Sequence, residues 1–144
     1  MKKATAYKKN SIIITPLSMT TAGVWIASSP AVSVAEDKVR SVLGVAVLDA
    51  LAASQHGVAH PSQADWEKVA EPVLKLANAK SWNAFAMGAK CVGIELSTNR
   101  VSFVPRKNEG PRGGFSDIEE QRRDCPPVAE SVGAALTEAF EDAQ

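Results

Sequence analysis

The sequence is short of the residue types that most often carry chemistry. It holds two cysteines, Cys91 and Cys125, and two histidines, His56 and His60, in 144 residues. A single cysteine pair in a chain of this size is not a disulfide framework. Cys91 lies in an apolar run and reads as a small core residue. Cys125, just ahead of Pro126-Pro127, reads as more exposed. The histidines stand four apart, a spacing that serves zinc on a helix, but Gly57 and Pro61 put them in a loop. No cysteine or carboxylate nearby completes a ligand set. Cys91 with a histidine supplies the residue types of a nucleophile and its base, and Lys90 would lower the thiol pKa were it exposed. No local signature supports that pairing, and a buried strand residue is the plainer reading. Glu109-Gly110-Pro111-Arg112-Gly113-Gly114 lacks the Gly-Lys-Ser/Thr ending of a phosphate loop, so its glycines read as turn-formers. No catalytic residue, metal site or cofactor is expected, and an enzyme (a small hydrolase or transferase using Cys91 and a histidine) is the alternative reading.

Charge of one sign is not in excess either. Sixteen basic and sixteen acidic residues cancel, which argues against a general nucleic-acid binder, whose affinity rests on neutralising phosphates. No stretch approaches the roughly 20 apolar residues of a membrane span. Lys2, Lys3, Lys8 and Lys9 followed by Ser33-Val34-Ala35 mimic an export signal. Thr15-Pro16, Thr20-Thr21 and Ser28-Ser29-Pro30 break the apolar run such a signal needs. The expectation is a flexible basic N-terminus over residues 1–10, then one domain over 11–144, in a cytoplasmic protein.

What the sequence does have is the means to fold. Its hydrophobic fraction of 45 % is ordinary for a globular chain. Ser11 to Thr15 and residues 22–27 read as strands. Ser33 and Glu36 have capping-box spacing, and Val39, Val42, Leu43, Ala46, Ala50 and Leu51 recur on one helical face up to Gly57. A second helix follows Ser62 and Asp65, with Trp66, Val69, Ala70, Val73 and Leu74 as its stripe and a kink expected at Pro72. Ser81 opens a short turn carrying Trp82, Phe85 and Ala86. Residues 89–96 and 100–106 alternate as a hairpin around Ser97-Thr98-Asn99, with Pro105 marking an edge or an end. The tryptophans Trp25, Trp66 and Trp82 are candidate interface anchors, but each lies on a patterned element and most read as core. A last helix over 128–141 shows Val128, Val132, Leu136 and Phe140 in steps of four. The strands come in adjacent pairs. The fold class expected is α+β, a mostly antiparallel sheet of about four strands with three main helices packed on it.

Between hairpin and last helix, residues 107–127 are rich in glycine and charge, and loops of this length are usually functional. Asp117, Glu119 and Glu120 form an acidic group beside Phe115, which would suit a basic protein partner with Phe115 as an apolar anchor. Arg122 and Arg123 follow at once, so self-compensation is the rival reading.

The order of several segments resembles immunity proteins of bacterial contact-dependent growth inhibition (CDI) systems. The likeness runs through Thr20-Thr21-Ala22-Gly23-Val24-Trp25, Ala46-Val47-Leu48-Asp49-Ala50-Leu51 and Gly57-Val58-Ala59-His60-Pro61. It is densest at Lys80-Ser81-Trp82, Phe85-Ala86 and Gly88-Ala89-Lys90-Cys91-Val92, and closes at Asn108, Gly110-Pro111 and Gly113-Gly114-Phe115. The resemblance implies a protein with no catalytic residues that binds one cognate toxin domain, the C-terminal region of a large surface effector. It further implies that this toxin is often a nuclease cutting tRNA. Neither nucleic acid nor membrane is implied as a direct partner.

Overall fold

The computed structural model describes residues 1–144. Four long strands make the middle of a nine-stranded sheet. In spatial order they are β2 (Ser11–Thr20), β1 (Lys2–Lys9), β6 (Lys90–Ser97) and β7 (Arg100–Asn108), each antiparallel to its neighbour. Five three-residue strands extend this frame. β3 (Trp25–Ala27) and β4 (Val32–Val34) pair with β2, and β5 (His56–Val58) joins the end of β2 in parallel. β8 (Phe115–Asp117) and β9 (Arg123–Cys125) pair with β7. The sheet is thus larger than the four strands expected, because five segments too short to show alternation find an edge to pair with.

The first strand overturns the expectation of a flexible N-terminus. Lys2–Lys9 sits between β2 and β6, with Ala4, Thr5 and Ala6 buried. The lysines that suggested a loose tail lay their stems along the sheet and carry the charge outward. Lys2 Nζ donates to the Ser54 carbonyl at 2.8 Å, at the C-terminal end of the following helix, and Lys9 Nζ donates to the Ala84 carbonyl at 2.7 Å. Lys3 pairs with Glu95 and Lys8 with Glu36, both at 3.6 Å.

There are four helices rather than three, and they cover both faces of the sheet. α1 (Arg40–Ala53) and α4 (Ala129–Asp142) lie on one face. Ala4, Ala6, Ile12, Ile14, Val92, Ile94, Val101 and Phe103 point at them and meet Leu43, Val47, Leu51, Val132, Leu136 and Phe140 in the main core. α2 (Glu71–Ala77) and α3 (Trp82–Ala86) cover part of the other face, where Ile13, Val73, Phe85 and Ala89 form a second cluster with Tyr7, Trp82 and Phe115 around it.

Several boundaries differ from the sequence reading for identifiable reasons. Ser33 belongs to β4 and caps nothing, so α1 starts at Arg40, behind an N-cap Val39 that makes no side-chain bond. Only Leu43, Gly44, Val47, Ala50 and Leu51 of α1 are buried, which leaves Val39, Val42 and Val45 facing solvent. Pro72 does not kink a helix; it occupies the first turn of α2, where its missing N–H costs nothing. A separate 3-10 turn takes up Trp66–Lys68. Ser81 does cap α3, accepting from the Ala84 N–H at 3.1 Å. Thr98 and Asn99, both at positive φ, close the β6–β7 hairpin in two residues. Pro105 lies inside β7: its carbonyl accepts from Ile118 on the outer side, so its nitrogen faces away from β6 and the inner ladder is intact. The 107–127 segment resolves into the end of β7, β8, a 3-10 turn over Glu119–Gln121, and β9. Pairing of β9 with β7 also buries Cys125, against expectation.

Candidate partner-binding face

The half of the sheet not covered by α2 and α3 opens a cleft of about 260 Å³. Strand register dictates its make-up. Across β2, β1 and β6 one row reads Ile13, Tyr7, Cys91, the next Thr15, Thr5, Gly93, and the third Leu17, Lys3, Glu95. The first row is bulky and roofed by α2 and α3. The second is small, and its Gly93 lines the cleft. The third puts an ion pair at the mouth.

Gly93 is what makes room. A Cβ there would stand 2.6 Å from Nη2 of Arg106, so the guanidinium lies across the strand where a side chain would otherwise rise. Arg106 Nε donates to Asp117 at 2.8 Å, and Nη1 reaches the Cys91 sulfur at 3.7 Å. Burial disfavours the charge on Arg106, but the negative charge Cys91 carries once ionised and the Asp117 carboxylate outweigh it, and the guanidinium pKa is raised. Burial pushes the Cys91 thiol up to about 11, with Arg106 opposing. Tyr7 is raised by the same desolvation. The group is locked in its protonated forms at neutral pH and offers no nucleophile.

On the mouth side a chain of charges crosses three elements. Lys3 meets Glu95 at 3.6 Å, Glu95 meets Arg122 at 3.8 Å, and Arg122 meets Glu119 at 2.9 Å. Lys3 also stands 5.1 Å from the ring centre of Trp25, which walls the cleft. The hydrogen bond from Arg122 lowers the Glu119 pKa, so this exposed carboxylate is charged in neutral solution.

The four residues singled out in the sequence take different places. Asp117 lines the cleft and is held by Arg106. Glu119 is committed to Arg122. Glu120 is exposed on the 3-10 turn and forms no ion pair. Phe115 is half-buried in the second cluster, its ring 6.0 Å from Tyr7, so it is a wall of the protein more than a free anchor. The sequence reading missed Lys3 and Arg106; a glycine inside an otherwise strand-like run, Gly93, was the available signal.

A broader electrostatic feature adjoins this edge. Residues 115–144 contain eight carboxylates against Arg122 and Arg123. Arg123 of β9 clamps Glu138 and Asp142 of α4, which fastens the strand to the helix. Glu120, Asp124, Glu130 and Glu141 remain exposed without an ion-pair partner. The protein is neutral in total but acidic along the edge formed by β9, the 3-10 turn and α4.

The other candidates do not assemble. His60 Nδ1 bonds to Thr20 at 3.0 Å and His56 Nε2 to the Met1 carbonyl at 2.7 Å, so neither is directed at Cys91, which is fully buried. No group of three or more His, Cys, Asp or Glu stands close enough to hold a metal. None of the three tryptophans is fully buried, and Trp66 is openly exposed against His60.

A family model described as CdiI, CDI immunity protein, matches residues 2–143. The chain belongs to the CDI immunity protein family. Two solved structures share the fold of this immunity protein. One is a protein of unknown function from Neisseria meningitidis, with a TM-score of 0.80 and 19 % identity over 99 % of this chain and 95 % of that one. The other is a toxin and immunity complex, CdiA-CT/CdiI, from Yersinia pseudotuberculosis, with a TM-score of 0.81 and 13 % identity over 99 % and 97 %. No curated protein sequence matches it. No helix of this immunity protein is long and apolar enough to cross a membrane.

Proposed function

We propose that this protein binds one cognate toxin domain, the C-terminal region of a large surface effector, and neutralises it in the cytoplasm by covering its active site, without chemistry of its own. The match to the immunity family over nearly the whole chain carries this reading. The toxin assigned is a nuclease acting on tRNA. A nuclease presents a basic cleft to its substrate, and the acidic edge around Glu120 and Asp124 complements such a surface. Asp117, Glu119 and Phe115 flank that edge, the first two with their charge shared with arginines. Steering by Glu120 and Asp124 brings the toxin in, and the cleft beside Asp117 supplies shaped polar contacts.

The test is to express the toxin domain encoded beside this gene, with and without the immunity protein, and to follow growth and nucleic-acid integrity. Arrest with cleaved tRNA, relieved by co-expression, supports the reading. Arrest with intact tRNA and degraded DNA would reassign the substrate. Absence of both rescue and a purified complex would remove the proposal.

A further inference from the structure

Arg106 lines the cleft with only part of its hydrogen-bonding capacity in use. Nε donates to Asp117 and Nη1 reaches the Cys91 sulfur, while Nη2 has no acceptor within the protein and is open to solvent. Nη2 is also the atom that takes the space beside Gly93. Lys3 is the second cation of the cleft. Its ammonium meets Glu95 at 3.6 Å, beyond a normal hydrogen bond, and lies over the Trp25 ring. Glu95 is shared with Arg122 at 3.8 Å, so two cations draw on one carboxylate. The cations are also more sheltered than the acid opposite them. Arg106 and Lys3 are 27 % and 26 % exposed, and Asp117 is 49 % exposed. Water screens the outer carboxylate, whereas a sheltered guanidinium with unused N–H groups gains most from a new acceptor.

We propose that this cleft receives a carboxylate, the side chain of one aspartate or glutamate of the toxin domain, at Arg106 Nη2 with Lys3 beside it. The proposal rests on the immunity reading above. A carboxylate suits the site better than a phosphate. It is planar, like the guanidinium it meets, and its single charge is repelled less by the nearby Asp117 and Glu95 than a double charge. Leu17, Trp25 and Val104 give the cleft an apolar lining for the stem that carries the acid. This contact is opposite in polarity to the acidic edge. The edge attracts a basic toxin surface, and one acid received among cations fixes the register and rejects toxins that lack it.

Acetate is the probe for the free protein, followed by NMR at the Gly93 amide and the Trp25 indole against chloride at equal ionic strength. The expected result is a response that saturates in the millimolar range. Arg106→Lys should weaken it about tenfold, the worth of one charge-assisted hydrogen bond. Lys3→Gln, a change at the mouth that keeps the fold, should weaken it less. Inorganic phosphate should bind more weakly than acetate. In the complex with the toxin domain acetate should no longer shift these signals. A scan of toxin acids to amides should then find one whose effect on binding is not additive with that of Arg106→Lys. No saturable response to acetate, a response indifferent to both variants, or tighter binding of phosphate overturns the site. Acetate entry undiminished in the complex overturns the toxin as the source of the carboxylate. A toxin that does not bind at all refutes the immunity reading and that source with it, while the acetate titration, which needs no toxin, decides the anion site separately.

Discussion

The Arg40 carbonyl of α1 lies in the space a side chain on Gly133 would fill, 1.9 Å from where its Cβ would stand. The arrangement is reciprocal, for a Cβ on Gly44 would come within 1.8 Å of the Ala129 carbonyl. The two helices therefore run antiparallel with backbone touching backbone. Glycine inside a helix ordinarily costs about 1 kcal/mol against alanine. Here the sign should reverse. Gly44→Ala and Gly133→Ala should each destabilise by about 2 kcal/mol or more, in the range of overpacked cores. Chemical denaturation of the two variants checks this, and a gain in stability would show that the helices separate easily.

Deleting residues 2–9 should abolish cooperative folding. The deletion removes the strand that joins β2 to β6 and takes Ala4 and Ala6 out of the main core. Calorimetry of the truncated chain should show no sharp transition. A protective, cooperatively melting fragment would mean β2 and β6 can pair directly.

How far this could be read from the sequence varied with the length of each periodic run. The β6–β7 hairpin and α4 were legible because alternation or a four-residue step of large apolar residues persists in each, Val92, Ile94, Val101 and Phe103 in the hairpin and Val132, Leu136 and Phe140 in the helix, all facing the main core. β1 was not, because its inward residues are alanines and threonine, too small to stand out between four lysines. In α1 the valines at 39 and 42 share a helical stripe with Leu43, and only the tight approach of α4 at Gly44 decides which side of that stripe is buried. The cleft depends on Arg106 crossing Gly93, a contact between strands that spacing within one strand does not reveal.

The Cys91 thiol should resist modification in the folded protein. Its pKa is raised from 9.0 to about 11 by burial. The raised value means folding favours the protonated thiol. That contribution is fully present below pH 9.0 and is lost as pH rises toward about 11, where the folded thiol also ionises. Labelling with a thiol reagent at neutral pH should be slow until denaturant is added. Cys91→Ala should flatten the loss of stability over that alkaline window, and fast labelling of the native state would contradict the burial.

Charge reversal should sort the acidic residues by whether they are already paired. Glu120→Lys with Asp124→Lys should slow toxin association and flatten its dependence on salt, while changing dissociation less. Reversing Glu119 in addition should add little steering loss, because Arg122 already offsets it. Asp117→Lys should act through dissociation, since it frees Arg106 inside the cleft. Stopped-flow measurements at two salt concentrations separate these effects. Unchanged kinetics in the Glu120/Asp124 variant would take that edge out of the encounter.

The place of β1 also sets an order of events during synthesis. Its hairpin with β2 closes over the single residue Asn10, but its other neighbour, β6, begins at Lys90. The helix that seals the core against α1 comes later still, at residues 129–142. Until then the growing chain carries an apolar two-stranded ribbon with an open edge, the kind of surface that chaperones cover or that aggregates. The topology thus places completion of the fold at the very end of synthesis, because the ribbon finds its second neighbour only with β6 and its cover only with α4.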